Sequence, residues 1–371
     1  MPEVSVIIPA YNAAAYLAKA LQSLARQTYQ NFEIIVVDDG STDNSTVIVQ
    51  RFPNVRYHYQ ENQGEAAARN KGMELARGQF LAFLDADDWY EPSKLEKQVR
   101  FLHQHPHMDV VYCDFRTYDE KSGRYSVLPA EPYQPERANF LARVLFRQIL
   151  PNLACSMLRR ACYTAGCRFK PGLRHAPDYD FCLQLLEQFT FGYLQEPLYG
   201  YRRHAGNVTN AHAQQKASEV RITRGLGLEK INHIVAQSTF SSEEKNLLLA
   251  RILLKIGEYS ACLALLSKAK FPDDSPLPLF YAGNCHYALG ALEDSRSCYQ
   301  SALARQQEFP EALNNLGCVL LKRDGKNATD KLFRKALELR PGYMDAEKNL
   351  AGEDAPHLTQ FELRTILTHY C

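Results

Sequence analysis

The sequence predicts an α/β domain built on a mainly parallel sheet, followed by an all-α domain of helical repeats. Three observations predict it. Up to about residue 205, short β-branched and aromatic runs alternate with amphipathic stretches. Two of those runs end in acidic clusters, Asp38-Asp39-Gly40 and Asp85-Ala86-Asp87-Asp88. From about Lys245 onward the pattern turns helical and repeats itself.

In chain order, Val4–Ile8 reads as a buried strand and Ala14–Gln27 as a helix. Glu33–Val37 is a second strand, ending at Asp38-Asp39-Gly40, and Val55–Tyr59 a third. A helix from about Glu65 to Arg77 stops at Gly78, and Phe80–Leu84 is a fourth strand ending at Asp85. Strands alternating with helices imply a parallel sheet covered on both faces. Ligands of such sheets sit beyond the carboxyl ends of the strands, so the two acidic strand ends mark the expected site.

In the second half, Gly283 and Gly317 stand 34 residues apart, as do Tyr299 and Phe333, and Ala302 and Ala336. An earlier copy is fainter: Gly257 and Gly290, and Ala269 and Ala302, are 33 apart. The stretches Glu311–Gly317 and Lys335–Pro341 resemble pieces of the tetratricopeptide repeat, a helix-turn-helix unit of 34 residues. Asp345-Ala346 and Asn349-Leu350 begin a further, shortened copy of capping type. The expected division is a first domain over 1–212, a helical linker over 213–244 with one helix from Val220 to Ala236, and the repeat domain over 245–371. Stacked repeats present a surface for a partner protein or peptide, whose identity the sequence does not give.

Composition narrows the function classes. The 371 residues carry 43 Lys+Arg against 42 Asp+Glu, a net +1, which leaves no basic excess for nucleic acid. The 46% hydrophobic and 23% charged content is that of a globular chain. None of the 10 cysteines forms C-x-x-C, so zinc and redox spacings are absent and buried, reduced thiols are expected. No apolar stretch approaches the roughly 18 residues of a spanning helix, and no signal peptide is read at the N-terminus. The expected location is the cytoplasm, with peripheral contact at the inner face of the membrane left open.

Three segments carry chemistry. Asp85 and Asp87, spaced i, i+2 at a strand end, point to the same side if the chain stays extended, and such a pair suits a hard divalent cation such as Mg²⁺ or Mn²⁺. The rival reading is a polar turn, with Asp88 a third acid nearby. In Asp38–Asp43, Gly40 permits a tight bend, Ser41, Thr42 or Asp43 can cap the next helix, and Asp39 is free to accept hydrogen bonds from a base or ribose. In Gly64–Gly72, alanines leave room for a ligand to approach and Arg69 can contact a nucleotide; the rival is a closely packed helix with a surface Arg.

Taken together these segments resemble family 2 glycosyltransferases, enzymes of the GT-A fold. Val4–Asn12, Val36–Asp43, Ala68-Arg69-Asn70-Lys71-Gly72 and Phe83–Asp88 carry the resemblance, in family order, and it extends over roughly residues 3–205. It implies that Pro9, Ala10, Tyr11, Asp39 and Arg69 bind the nucleotide of a nucleotide-sugar, a UDP-sugar in the first instance. It also implies that Asp85 lies near the ribose and that Asp87 holds a divalent cation, Mn²⁺ or Mg²⁺. Asp178, in Ala176-Pro177-Asp178-Tyr179-Asp180, falls on the family's catalytic base; Asp180 is the weaker candidate. Pro177 stands where the family has Glu, a departure that bears on acceptor binding. In Tyr199–His204, the resemblance implies His204 as a metal ligand and Arg202 or Arg203 as phosphate contacts. The Gln-x-x-Arg-Trp motif of processive synthases is absent, since the single Trp is Trp89.

The implied activity is inverting, metal-dependent, non-processive transfer of one hexose to an acceptor hydroxyl, of the kind used in polysaccharide biosynthesis. A glycan, a lipid-linked sugar or a protein remains open as acceptor. A dinucleotide-dependent dehydrogenase is disfavoured because Pro9-Ala10-Tyr11-Asn12 stands where Gly-x-Gly-x-x-Gly belongs. A sugar-1-phosphate nucleotidyltransferase would carry a Gly-rich loop near the N-terminus, which this sequence lacks. The rival from another class is an interaction scaffold with an inactive first domain, against which the set Asp85, Asp87 and Asp178 argues.

Overall fold

The structure is a computed structural model and describes residues 1–130, 136–207, 210–324, 329–352 and 355–362. Cys371 lies outside the described residues. The chain divides into two compact units, Met1–Leu226 and Gly227–Cys371.

The first unit holds strands β1 (Val4–Ala10), β2 (Phe32–Asp39), β3 (Val55–Gln60), β4 (Phe80–Phe83), β5 (Trp89–Tyr90), β6 (Val110–Asp119), β7 (Arg124–Leu128), β8 (Ser156–Arg159) and β9 (Phe191–Arg203). Its helices are α1 (Leu17–Ala25), α2 (Ser45–Val49), α3 (Glu65–Leu75), α4 (Lys94–Gln104), α5 (Arg137–Phe146), α6 (Arg160–Thr164), α7 (Pro177–Gln188) and α8 (His212–Gly225).

One sheet runs in the order β3-β2-β1-β4-β8-β6-β9-β5, with β7 paired to β6. The first four strands are parallel, in the register Val4↔Phe32, Ile34↔Val55 and Val4↔Phe80. Here the expectation holds, because α1, α2 and α3 return the chain to the same end each time. Beyond β4 the sheet is mixed, which corrects the mainly parallel reading. Pairs β4–β8, β6–β8, β5–β9 and β6–β7 are antiparallel, and β6–β9 is parallel. The β6–β7 pair is a hairpin closed at Asp119↔Arg124, with Gly123 at φ 68, and so short a turn permits no crossover.

Packing explains the small residues of α3. Strand β1 is buried along its whole length. Ala66, Ala68 and Gly72 of α3 are buried too, and a Cβ on Gly72 would stand 2.2 Å from Cγ2 of Ile7. These small residues therefore bring the helix onto the sheet, where the sequence suggested room for a ligand. In α1, Leu17, Ala20, Leu21 and Leu24 form the apolar stripe of an amphipathic helix against the core.

The second unit contains α9 (Leu228–Gln237), α10 (Ser242–Ile256), α11 (Tyr259–Lys268), α12 (Leu277–Ala288), α13 (Leu292–Arg305), α14 (Pro310–Asp324), α15 (Asp330–Leu339) and α16 (Met344–Ala351). Consecutive helices from α9 to α16 pack on one another. The 34-residue spacing has a physical content. A Cβ on Gly283 would meet the Tyr299 ring at 2.5 Å, and one on Gly317 would meet the Phe333 ring at 2.6 Å. The same glycine-on-ring contact thus joins α12 to α13 and α14 to α15.

The division at Leu226/Gly227 falls inside the stretch 213–244 read as a linker. Helix α8 belongs to the first unit, where Thr223 Oγ1 lies 2.9 Å from Tyr179 Oη. Gly227, at φ 80, separates α8 from α9, so no single helix runs from Val220 to Ala236. Among the described residues all nine cysteines are unpaired, eight of them buried and Cys298 partly exposed. Among the same residues no helix is long and apolar enough to cross a membrane.

Candidate active site

Each residue of Ala68-Arg69-Asn70 has a separate task. Ala68 is buried against the sheet. Asn70 clamps the backbone of Phe169, donating Nδ2 to its carbonyl (2.7 Å) and accepting its amide at Oδ1 (2.9 Å). Arg69, 3% exposed, donates Nη1 to Asp178 Oδ1 and Nη2 to Asp85 Oδ1, both at 2.7 Å. Its Nη2 also lies 2.8 Å from Glu65, one turn earlier, and its Cζ sits 5.2 Å from the centre of the Phe169 ring. Burial disfavours the guanidinium charge, but Asp178, Glu65 and Asp85 outweigh that and hold it protonated. The rival reading of a surface Arg is excluded.

Asp85 and Asp178 are thereby brought together. Asp85 follows β4 and also accepts Asn152 Nδ2 at 2.7 Å. Asp178 sits in the first turn of α7, where the helix dipole favours an anion. Pro177 occupies the first helical position, and Ala176 before it is left-handed (φ 59, ψ 37). A left-handed non-glycine residue costs roughly 1–3 kcal/mol, a strain that here aims Asp178 at Arg69. Burial raises the pKa of Asp178; Arg69 opposes this and Asp85 adds to it. Asp180 instead accepts Gln184 Nε2 at 2.8 Å, within its own helix.

Asp87 takes different partners from Asp85, which corrects the picture of an extended pair facing one side. Strand β4 ends at Phe83, and Asp88 N donates to Asp85 O across a turn (3.0 Å). Asp87 Oδ2 lies 3.0 Å from His204 Nε2 and 3.5 Å from Asn207 Nδ2. Burial and the nearby Asp85 raise its pKa. Asp88 faces inward, bonded by Tyr199 Oη and by Arg202 N (2.7 Å), so it adds no third acid to the site. Arg202 is buried, donates Nε to Asp87 O at 2.9 Å, and packs beside the rings of Tyr16, Trp89 and Tyr118. Arg203 is exposed. The His204 ring stacks on Tyr16 at 4.6 Å.

The sites expected for the nucleotide lie at the ends of β1 and β2. Pro9 and Ala10 are buried in β1, and Tyr11, just beyond it, is 54% exposed. Asp39 is buried and accepts Gln60 Nε2 (2.7 Å), Gln63 N (2.9 Å) and Gly64 N (2.8 Å). It therefore fastens the loop that opens α3, the helix carrying Arg69. Asn12 ties the two strand ends, accepting Thr42 N (2.8 Å) and donating its own amide to Ser41 Oγ (2.9 Å).

Asn152, Glu65, Tyr16, Asn207 and Phe169 join the site without having been read from the sequence. Asn152 carried no signal, since Pro151-Asn152-Leu153 belongs to none of the motifs read from the sequence. Glu65 was legible as the i, i+4 partner of Arg69.

Among the described residues no group of three or more His, Cys, Asp or Glu side chains that could hold a metal is found. The donor set of Asp87 and His204 nevertheless suits a cation that shares substrate phosphates and water. Gly206 N donates to His204 Nδ1 at 3.2 Å, so the neutral ring carries its proton on Nε2, facing Asp87. Taking a cation at Nε2 requires the other tautomer and the loss of that bond, worth about 1 kcal/mol.

Comparison with known proteins agrees with this architecture. Residues 5–170 match the family model described as Glycosyl transferase family 2. EpsH of Bacillus subtilis (strain 168), a protein named as a glycosyltransferase, is 32% identical over 253 residues, covering 66% of this chain and 72% of EpsH. The uncharacterized glycosyltransferase RT0329 of Rickettsia typhi is 34% identical over 218 residues, covering 58% of this chain and 68% of the relative. Among solved structures, S. aureus TarS 1–349 in complex with UDP-GlcNAc aligns with a TM-score of 0.55 at 21% identity, covering 88% of this chain and 93% of that one. The fold of the first unit is that of the GT-A class, and the chain belongs to glycosyl transferase family 2.

Proposed function

We propose that the chain is an inverting, non-processive hexosyltransferase that uses a divalent cation and moves one sugar from a UDP-sugar to an acceptor hydroxyl. The carrying observation is that Arg69 joins Asp85 to Asp178 while Asp87 meets His204 on the neighbouring turn. The UDP-GlcNAc bound by TarS supports the donor class.

In this reading Asp178 is the base. It removes the proton of the acceptor hydroxyl while that oxygen bonds to the anomeric carbon, and the carbon's bond to the diphosphate oxygen breaks with inversion. Arg69 positions Asp178 and Asp85, and Asp85 faces the ribose. Asp87 and His204 would hold Mn²⁺ or Mg²⁺, which when bound screens the charge on the departing diphosphate. Pro9, Ala10, Tyr11 and Asp39 bind the nucleotide, and Asp39 acts partly by fixing the loop before α3.

The helical unit is read as tetratricopeptide-like, on the repeated glycine-on-ring contact, and as a binding surface for a partner protein. The acceptor is a glycan, a lipid-linked sugar or a protein, and the setting is cytoplasmic polysaccharide assembly. A donor screen for hydrolysis and transfer with UDP-, GDP- and dTDP-sugars tests the reading. Turnover with a UDP-sugar that needs Asp178 supports it; absence of turnover with every donor, with and without Mn²⁺, rejects it.

A further inference from the structure

The segment 355–362 lies along the second unit outside any helix or strand, and its bonds go to alternate helices, α10, α12, α14 and α16. Asn349 of α16 grips His357 at both ends: Nδ2 donates to its carbonyl (2.9 Å) and Oδ1 accepts its amide (2.6 Å). Asn315 of α14 grips Thr359 in the same way, at 2.7 and 2.8 Å. Asn314 adds a second bond to the His357 carbonyl (3.0 Å), and Asn284 of α12 donates to the Gln360 carbonyl (2.9 Å). Gln360 Nε2 reaches the Leu254 carbonyl of α10 at 2.8 Å.

Two periods match here. Asn315 and Asn349 stand 34 residues apart, one repeat, and the residues they grip stand two apart, the period of an extended chain. Each of these two repeats therefore reads one backbone position, His357 and then Thr359. A carboxamide that gives and takes one bond at a single residue recognises main chain, whatever the side chain. The amides are buried at 0–5% exposure beneath the segment and also bond to one another, Asn349 Nδ2 donating to Asn314 Oδ1 (2.8 Å) and Asn315 Nδ2 to Asn284 Oδ1 (2.9 Å); the segment's backbone takes up the hydrogen-bonding capacity that this ladder leaves.

Two side chains of the segment are also read. Thr359 Oγ1 donates to Asp345 Oδ2 (2.6 Å) and meets Tyr343 Oη. Glu362 is bonded by Arg251 of α10 and Tyr281 of α12. At position 281, one repeat before Asn315, a tyrosine replaces the amide, and there the recognition passes from backbone to an acid.

We propose that this surface is a peptide groove occupied by the chain's own segment 355–362, and that a partner protein's extended segment, with Ser or Thr followed three positions later by an acid, takes the same place. This deepens the partner-binding reading of the helical unit and does not depend on the transferase reading. At His357, Thr359 and Gln360 the segment is held through its backbone, by side chains that another backbone would satisfy equally.

The test uses the full chain and a fluorescent octapeptide with the sequence of residues 355–362. Thr359→Pro removes an amide that Asn315 accepts, and Glu362→Arg sets a cation against Arg251; together they release the segment. The released chain should bind the peptide roughly tenfold more tightly than the wild type, because an intramolecular competitor is gone. Adding Asn315→Ala should abolish that binding. In the wild-type chain, excess peptide should speed hydrogen exchange at the amides of His357 and Thr359. The proposal is overturned if the released chain stays folded by circular dichroism yet binds no tighter. It is equally overturned if release melts the helical unit, if the chain dimerises by exchanging segments and takes no peptide, or if peptide leaves exchange unchanged. UDP binding, followed in the same samples, reports separately on the first unit.

Discussion

Asp85 and Asp178 lie on two sides of one buried guanidinium: Arg69 donates Nη2 to the first and Nη1 to the second, each at 2.7 Å. This bridge makes two acids from distant parts of the chain into neighbours, and it sets the energetics of the site. Two half-buried carboxylates so placed repel unless a cation is held between them.

Removing that cation should be costly. Arg69→Met should destabilise the first unit by about 3–5 kcal/mol at pH 7, the usual loss when a buried pair is broken from one side. The deficit should shrink as the pH falls, because protonating Asp178 removes the uncompensated charge. Urea denaturation of both proteins at pH 5 and pH 8 measures it; an equal deficit at the two pH values would contradict the bridge.

Asp178→Asn keeps the shape and an acceptor for Arg69 Nη1 but has no basicity. Turnover should fall by about 10²–10⁴-fold, the range a general base supplies. Affinity for UDP should stay within roughly threefold, well under the 1.4 kcal/mol that a tenfold change represents. Steady-state rates together with calorimetric titration separate the two effects; near-normal turnover removes Asp178 from the role of base.

Burial raises the pKa of Asp178 and Arg69 works against that rise. As a base it must be ionised, so kcat/KM should fall with decreasing pH, with the acid limb above the usual aspartate value of about 3.9. Arg69→Gln removes the opposing charge and should move the limb to higher pH. A rate–pH profile for each protein decides this, and a limb that stays fixed assigns it to another group.

If Asp87 and His204 share a cation, UDP should bind more tightly with Mn²⁺ than with EDTA. Asp87→Ala and His204→Ala should each erase most of that difference. Asn207→Ala, which removes an outer partner of Asp87, should cost roughly 10–100-fold in metal affinity. Calorimetric titration of UDP with and without Mn²⁺ reads the effect directly.

The glycine-on-ring contacts make the repeat testable. Gly283→Ala and Gly317→Ala each place a Cβ within 2.6 Å of a ring. Each should destabilise the helical unit by about 1–3 kcal/mol, the cost of overpacking. Thermal unfolding should show similar losses for both, whereas unrelated losses would argue against equivalent positions.

Much of this was legible in one dimension. The strand runs from Val4, Glu33, Val55 and Phe80, the helices between them and the acidic strand ends follow from hydrophobic period and turn chemistry, which act over a few residues. The repeat was legible for the same reason, since Gly283 and Gly317 recur at a fixed step. Tertiary structure alone decided which acid meets which partner. Asp85 and Asp87 lie two residues apart, yet a turn sends one to Arg69 and the other to His204. The mixed half of the sheet, the inward turn of Asp88, the fastening of Asp39 and the arrival of Asn152 at Asp85 were likewise invisible. Hydrogen bonds between residues far apart in sequence depend on how the chain closes on itself, and no local pattern encodes that closure.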